Sequence, residues 1–579
     1  MSSLNRGTSE AWVFAQVDDF WLRYRPLSPW GKDEGEARTV LTQRSAIEAR
    51  YDDIDAALLW LRGNVDRPEK LDLVSYHLKR MPRLPQGERD GYELLELFQV
   101  KKFIANYRGL ATALGENCAS AFGFVPLASD IAARRLAVEL DRGGSDPETF
   151  HLADCYDDGL SAVRAGIATA DRAIALERAR AEAEARLAFG VSFDGREFIV
   201  VPAAAARAMI ASKGGAASSG GAPQTDGIGC GETGPRFAVE PYDDARFMVR
   251  LMPSATAIDA MADRERGLEG EREAEARVLV RLSALVRGAM PWLSAAVKAV
   301  ARWDRARAGA VLALELGMCR PRLGASVTKL REASFIPCAD ECGRLGLSYT
   351  PLTAEFGGGA TVLFGSNMGG KTVVLKTVLF FQLLAQAGMF VPARLFETRV
   401  YGRVEYVGEL GSERHAGLSG FGLEVWRLEK VRASGGTSGG TMVAFDELAR
   451  TTGSHEAEAL LSAVVEAYAS GQGDRAFFAT HFRGVARMPG VEYRRMKGLD
   501  REAARASLLT FPPAGIAATG GGEGSLPARL AGINMNMRYE VVDDDGSGSE
   551  SDALAIAAFL GLDRRIVERA RAYLEKEGR

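Results

Sequence analysis

The stretch Thr361-Val362-Leu363-Phe364-Gly365-Ser366-Asn367-Met368-Gly369-Gly370-Lys371-Thr372 decides the fold. A short, mostly apolar run leads into a G-x-x-x-x-G-K-[ST] pattern, and a long apolar segment, Val373 to Val391, follows it. A strand before the pattern and a helix after it are what the motif's mechanism needs. The glycines let backbone N–H groups approach phosphate oxygens, and the helix N-terminus adds a favourable dipole. Lys371 is then expected to reach the β- and γ-phosphates of a nucleotide, and the Thr372 hydroxyl to ligate Mg²⁺. The phosphate cradle reads as Gly365, Ser366, Asn367, Met368, Gly369, Gly370, Lys371 and Thr372.

Two further apolar runs lie downstream, Met442-Val443-Ala444-Phe445 and Ala476-Phe477-Phe478-Ala479. Continuous apolar strands separated by helical segments indicate a parallel sheet covered on both faces. The second run ends at Asp446-Glu447. Two acids closing a buried strand are costly unless they meet a cation. Asp446 is expected to hold Mg²⁺, and Glu447 to orient and activate the attacking water. The third run is followed by Thr480-His481, and His481 stands where it can sense the γ-phosphate. The pattern predicts an ATPase of the P-loop α/β class, with ATP and Mg²⁺ as cofactors and Lys371 and Glu447 as catalytic groups; a lone histidine is more often structural, and His481 joins them only through resemblance to a known family.

Upstream the texture is helical. Asp53 to Arg62 and Gly91 to Leu110 carry apolar residues at three- and four-residue steps, and Gly159 to Phe189 reads as one long exposed helix. Phe198 to Val201 is a strand candidate after the turn signal Asp194-Gly195. Leu279, Leu282, Val286, Ala289, Leu293, Ala296 and Val300 form a heptad-like seam, which Pro291 is expected to kink or split. Gly- and Ser-rich residues 213–234 read as a flexible loop, and 434–440 and 512–524 as two more inserts.

Composition excludes some classes. Of 579 residues 47% are hydrophobic and 26% charged, an ordinary globular mix, and the net charge is −4. Bulk charge therefore does not attract nucleic acid; a local patch such as Arg483, Arg487, Arg494, Arg495 and Lys497 would be needed. Six cysteines are too few for a disulfide scaffold, and Cys338 and Cys342 lack a second pair at zinc spacing. Residues 1–6 have no apolar stretch, so no secretory signal is expected there. Val373 to Val391 contains Lys376, Gln382 and Gln386 and reads as a buried helix, not a membrane span. The expected compartment is the cytoplasm.

Several motifs together resemble the MutS family of DNA mismatch-repair ATPases. They are Asn367 to Lys371, Asp446-Glu447-Leu448-Ala449-Arg450-Thr451-Thr452 and Ala479-Thr480-His481-Phe482. Ser419-Gly420-Phe421-Gly422-Leu423-Glu424 is similar to the family's Ser-Thr-Phe-x-x-Glu signature, and Phe396 to Glu405 to the segment before it. Leu560-Gly561-Leu562 through Val567 to Ala570 resembles the closing helical motif. The resemblance implies a MutS-type, ABC-like ATPase domain over 335–579 that ends in a helical dimerisation segment. It implies a mainly α-helical core and lever region over 1–334. It also implies that Ser419 reaches the γ-phosphate bound by a partner subunit, in a homodimer or a heterodimer with a paralogue.

The departures shape the functional expectation. The residues ahead of the helical core are too few for both a mismatch-reading domain and a connector, and the clamp insertion looks reduced. After Arg450 the family's Gly-Thr-Ser-Thr-x-Asp-Gly becomes Thr451-Thr452-Gly453-Ser454-His455-Glu456-Ala457. The first expectation is a MutS-like ATPase whose cycle drives conformational change on DNA. The alternative is the ATPase subunit of a reactivating factor for an adenosylcobalamin-dependent aminomutase, with that enzyme as partner.

Overall fold

The computed structural model describes residues 9–85, 87, 89–211, 236–365, 369–409, 420–433, 439–471, 473–500, 502–503, 533–544, 546, 553–560 and 562–577. The expected loops 213–234 and 512–524 and insert residues 434–438 lie outside them. So do Gly561 and the site candidates Ser366, Asn367, Met368 and Ser419. The chain forms two compact units. One comprises Met1–Met81, Gly109–Phe124 and Ala295–Arg579; the other comprises Pro82–Arg108 and Val125–Ser294. This division follows contact, whereas the expected boundary at 334/335 follows family motifs.

In the second unit the long helix Asp158–Phe189 starts at Asp157, whose carboxylate accepts from Gly159 N at 2.8 Å, and ends at Gly190 with φ 64°. An N-cap carboxylate and a left-handed glycine are the usual stop signals at the two ends. Arg164 on this helix binds Glu271 at 2.6 Å and Glu275 at 2.9 Å on the helix Ala255–Leu316. Strands β1 (Phe198–Pro202), β2 (Arg236–Pro241) and β3 (Arg246–Met252) form an antiparallel sheet in the order β1-β3-β2. Phe193, Val201, Met209, Phe237 and Val249 make its core.

The helix Ala255–Leu316 carries the expected seam. Leu282, Val286, Ala289, Leu293, Ala296 and Val300 are buried, with Val278 taking the place expected of Leu279. Pro291 does not split it: the helix is continuous through the proline. The lost backbone bond is outweighed by packing, since Trp292 and Leu293 directly after the proline are buried and Trp292 meets Tyr107 edge-on at 5.1 Å. This is also the one helix among the described residues long and apolar enough to cross a membrane by length and composition.

The first unit holds two sheets. In chain order their strands are β4 (Arg322–Leu323), β5 (Thr328–Ala333), β6 (Leu352–Phe356), β7 (Ala360–Phe364), β8 (Leu395–Thr398), β9 (Arg403–Val407), β10 (Thr441–Asp446), β11 (Arg475–Thr480), β12 (Val491–Leu499) and β13 (Met537–Asp543). The larger sheet runs β13-β12-β7-β11-β10-β9 and the smaller β4-β8-β5-β6. The three apolar runs are β7, β11 and β10, adjacent and parallel as expected. β9 and β12 extend the parallel set and β13 closes it antiparallel. An α/β fold with an accompanying helical region is therefore present.

Helix Lys371–Gln386 follows β7 and is buried on nearly every side. A buried helix must satisfy its polar side chains internally. Gln382 donates to Gln386 Oε1 at 2.7 Å and to Arg399 O, and Gln386 donates to Leu41 O and Tyr401 O, each at 2.9 Å. The N-terminal helices Glu10–Phe14 and Val17–Trp21 belong to this unit too. Phe14 stacks on Tyr406 of β9 and Phe20 meets Phe380 edge-on at 5.2 Å.

Candidate active site

The C-terminal ends of the parallel strands bring the expected residues together. β7 delivers Gly365, the helix behind it begins at Lys371, β10 ends at Asp446, and β11 ends at Thr480. In an open α/β sheet this edge is where ligands bind. Gly365 and Gly370 are required there. A Cβ on Gly365 would meet the Met496 side chain at 3.1 Å, and Gly370 has φ 94°.

Lys371 Nζ donates to Gly365 O at 2.7 Å, so the lysine curls back over its own loop. Burial lowers its pKa, opposed by the charges of Glu447 and Asp446. Thr372 Oγ1 donates to Asp446 at 3.0 Å. Burial raises the Asp446 carboxyl, the Thr372 hydrogen bond opposes it, and Glu447 raises it further. A hydroxyl and a carboxylate converging in a cleft are hard oxygen donors, the set that Mg²⁺ takes.

Glu447 leaves the strand with φ 55°, and Ala449 follows with φ 64°. The turn is held by two bonds: Glu447 N donates to Ala479 O at 2.9 Å, and Ala449 N to Glu424 Oε2 at 2.8 Å. His481 Nδ1 lies 3.8 Å from Glu447 Oε1, and Arg450 Nη1 lies 3.5 Å from Glu447 Oε2. His481 packs beside Phe482, and it is Glu447, not His481, that lines the cleft.

The cleft is a cavity of about 780 Å³. Its lining includes Lys371, Thr372, Asp446 and Glu447, and also Tyr349, Met496, Asn534 and Tyr539 with Cys338 and Cys342. Burial raises the Cys338 thiol to about 11, so it stays protonated at neutral pH. Among the described lining residues Glu409, Glu424, Asp446 and Glu447 face only Lys371 and Arg450. A polyphosphate in this acid-rich wall needs an accompanying cation.

Sequence reading left Glu424, Arg450, Tyr406, Tyr349 and Tyr539 without roles. Glu424 had a signal, since it closes the Ser419 signature, and Tyr406 follows directly on the noted segment Phe396 to Glu405. Tyr539 carries none, because β13 belongs to none of the quoted motifs. The basic run on and before β12 also changes meaning. Arg487 pairs with Asp544, Arg494 with Asp543, and Lys497 with Glu540 at 3.1 Å, so acids on and beside β13 offset it.

Similarity to known proteins covers the segment that carries most of this cleft. Residues 361–576 match the family model described as MutS domain V. The endonuclease MutS2 of Pediococcus pentosaceus is 28% identical over 325 residues, 52% of this chain and 34% of that protein. The DNA mismatch repair protein MutS of Granulibacter bethesdensis is 29% identical over 225 residues, 38% of this chain and 24% of that protein. The DNA mismatch repair protein MutS of Myxococcus xanthus is 30% identical over 216 residues, 36% of this chain and 24% of that protein. The matched segments thus span about a third or less of the length of these relatives.

Proposed function

This chain belongs to the MutS family through residues 361–576, and on that premise we propose that it is a Mg²⁺-dependent ATPase of the P-loop class whose cycle drives conformational change on DNA. The observation that carries the reading is the convergence of Lys371, Thr372, Asp446 and Glu447 in one cavity at the C-terminal edge of a parallel sheet. Lys371 Nζ donates to Gly365 O, and its ammonium is the cation that would meet the β- and γ-phosphates. Thr372 and Asp446 supply the oxygens that would hold Mg²⁺, and the ion would supply charge neutralisation on the phosphates. Glu447 is the general base. Its left-handed backbone turns the carboxylate out of the strand, and His481 and Arg450 flank it. Tyr349, Met496 and Tyr539 offer a flat, polarisable wall for the adenine base.

The division into a helical region over 1–334 and an ATPase domain over 335–579 is part of this proposal. So are residence in the cytoplasm, dimerisation, and the completion of each site by Ser419 of a partner subunit. A Ser419→Ala chain and a Lys371→Ala chain, each impaired alone, should regain part of their activity when mixed, because one composite site is then intact. A mixture as inactive as its components, with subunit exchange verified, removes the shared site.

The test of the DNA reading is the ATPase rate of the full chain alone, with duplex DNA, with branched DNA, and with an inactivated aminomutase. Stimulation by DNA is expected. Stimulation by the aminomutase alone would overturn it in favour of the reactivation reading, which the relatives do not support.

A further inference from the structure

Tyr406 lies on β9 in parallel register with Ala444 of β10. It therefore shares a sheet face with Ala444 and, two residues on, with Asp446. Its side chain lines the cavity although the residue is only 3% exposed. Among the described residues its hydroxyl makes no hydrogen bond, and it lies beside Gly408, another residue of the cavity wall. A buried phenol left this way faces a ligand or a water. A tyrosine phenol is neutral at ordinary pH and can act here as a neutral donor. In a wall already rich in carboxylates, a neutral O–H can hold a metal-bound water or a phosphate oxygen without adding charge.

The ring is fixed from behind. Phe14 of helix Glu10–Phe14 stacks on it with centroids 3.8 Å apart and planes at 14°. Three more contacts tie the N-terminal segment to the same wall. Lys376 Nζ sits 5.4 Å from the Phe14 ring centroid and 3.5 Å from Gln16 Oε1. Glu10 lies 3.9 Å from Arg427, and Arg427 donates to Gly408 O in the cavity wall.

We propose that Tyr406 is a positioning residue for the metal–phosphate end of the site, and that Phe14 of the N-terminal helix sets its place. This rests on the nucleotide reading above. The N-terminal segment is then a structural part of the ATP site.

The test compares wild type with Tyr406→Phe, which keeps the ring and its stack, and Phe14→Leu, which keeps apolar filling without the stacked ring. Binding of a fluorescent ATP analogue is measured in EDTA and across a Mg²⁺ titration, beside kcat and KM. Tyr406→Phe should bind as wild type in EDTA. With Mg²⁺ it should bind about threefold to tenfold more weakly, the usual worth of one hydrogen bond, and kcat should fall. Phe14→Leu should show a smaller loss of the same Mg²⁺-dependent kind. Wild-type behaviour of Tyr406→Phe with Mg²⁺ would overturn the proposal, as would an equal loss in EDTA, which would mean that the ring merely shapes the cavity. A normal Phe14→Leu beside an impaired Tyr406→Phe would remove the role of Phe14. Failure of the wild-type chain to bind the analogue at all would instead sink the nucleotide reading itself.

Discussion

At the scale of single residues the end of β10 is the most informative place. Glu447 and Ala449 both turn left-handed, a conformation that costs a side-chain-bearing residue roughly 1–2 kcal/mol. The bonds to Ala479 O and Glu424 Oε2 hold the turn against that cost, and the result is a carboxylate aimed into the cavity. Ala449→Gly should relieve strain at the second position and raise stability by up to about 1 kcal/mol, after allowing for glycine's larger chain entropy. The check is the midpoint of thermal unfolding; a lower midpoint would show that no strain is stored there. The acid pair itself was legible, since Asp446-Glu447 closes an apolar run. The turn was not, because neither glutamate nor alanine carries the signal that a glycine would.

Elements divide in the same way. β7, β10 and β11 were readable because strands buried on both faces are continuously apolar. β9, β12 and β13 were not, because toward the margins of the sheet they mix Arg403 and Glu405, or Arg494 and Arg495, among apolar residues. Pro291 misled for a related reason: a local breaker was outweighed by burial of the residues around it. The phosphate-loop helix was expected to be buried, yet its glutamines, which argued against a membrane span, are themselves fully buried and bonded. Gln386→Leu would leave Tyr401 N and the carbonyls of Leu41 and Tyr401 without these partners. With three groups losing a partner, at roughly 1–3 kcal/mol for each one left unsatisfied, the expected loss is about 3 kcal/mol or more. Chemical denaturation followed by a probe in the first unit checks it, and an unchanged midpoint would mean that water replaces the amide.

On the scale of the whole molecule, motif and compactness give different maps. The family motifs begin near the smaller sheet, but residues 9–81 share a compact unit with both sheets. Tyr51 OH donates to Ala385 O at 2.7 Å and Leu41 N to Gln386 O at 2.7 Å, contacts across more than half the chain that no local pattern announces. The N-terminal segment is thus built into the unit that carries the cavity. The central claim is that this cavity hydrolyses ATP with Lys371 holding phosphate and Glu447 activating water. The most direct test measures nucleotide binding and steady-state Mg²⁺-ATP hydrolysis side by side for wild type, Lys371→Ala and Glu447→Ala. Lys371→Ala should bind nucleotide weakly. Glu447→Ala should bind nearly as wild type and turn over about 10²-fold more slowly or worse. Glu447→Ala hydrolysing at the wild-type rate, or a wild-type chain that binds no ATP, would contradict the account.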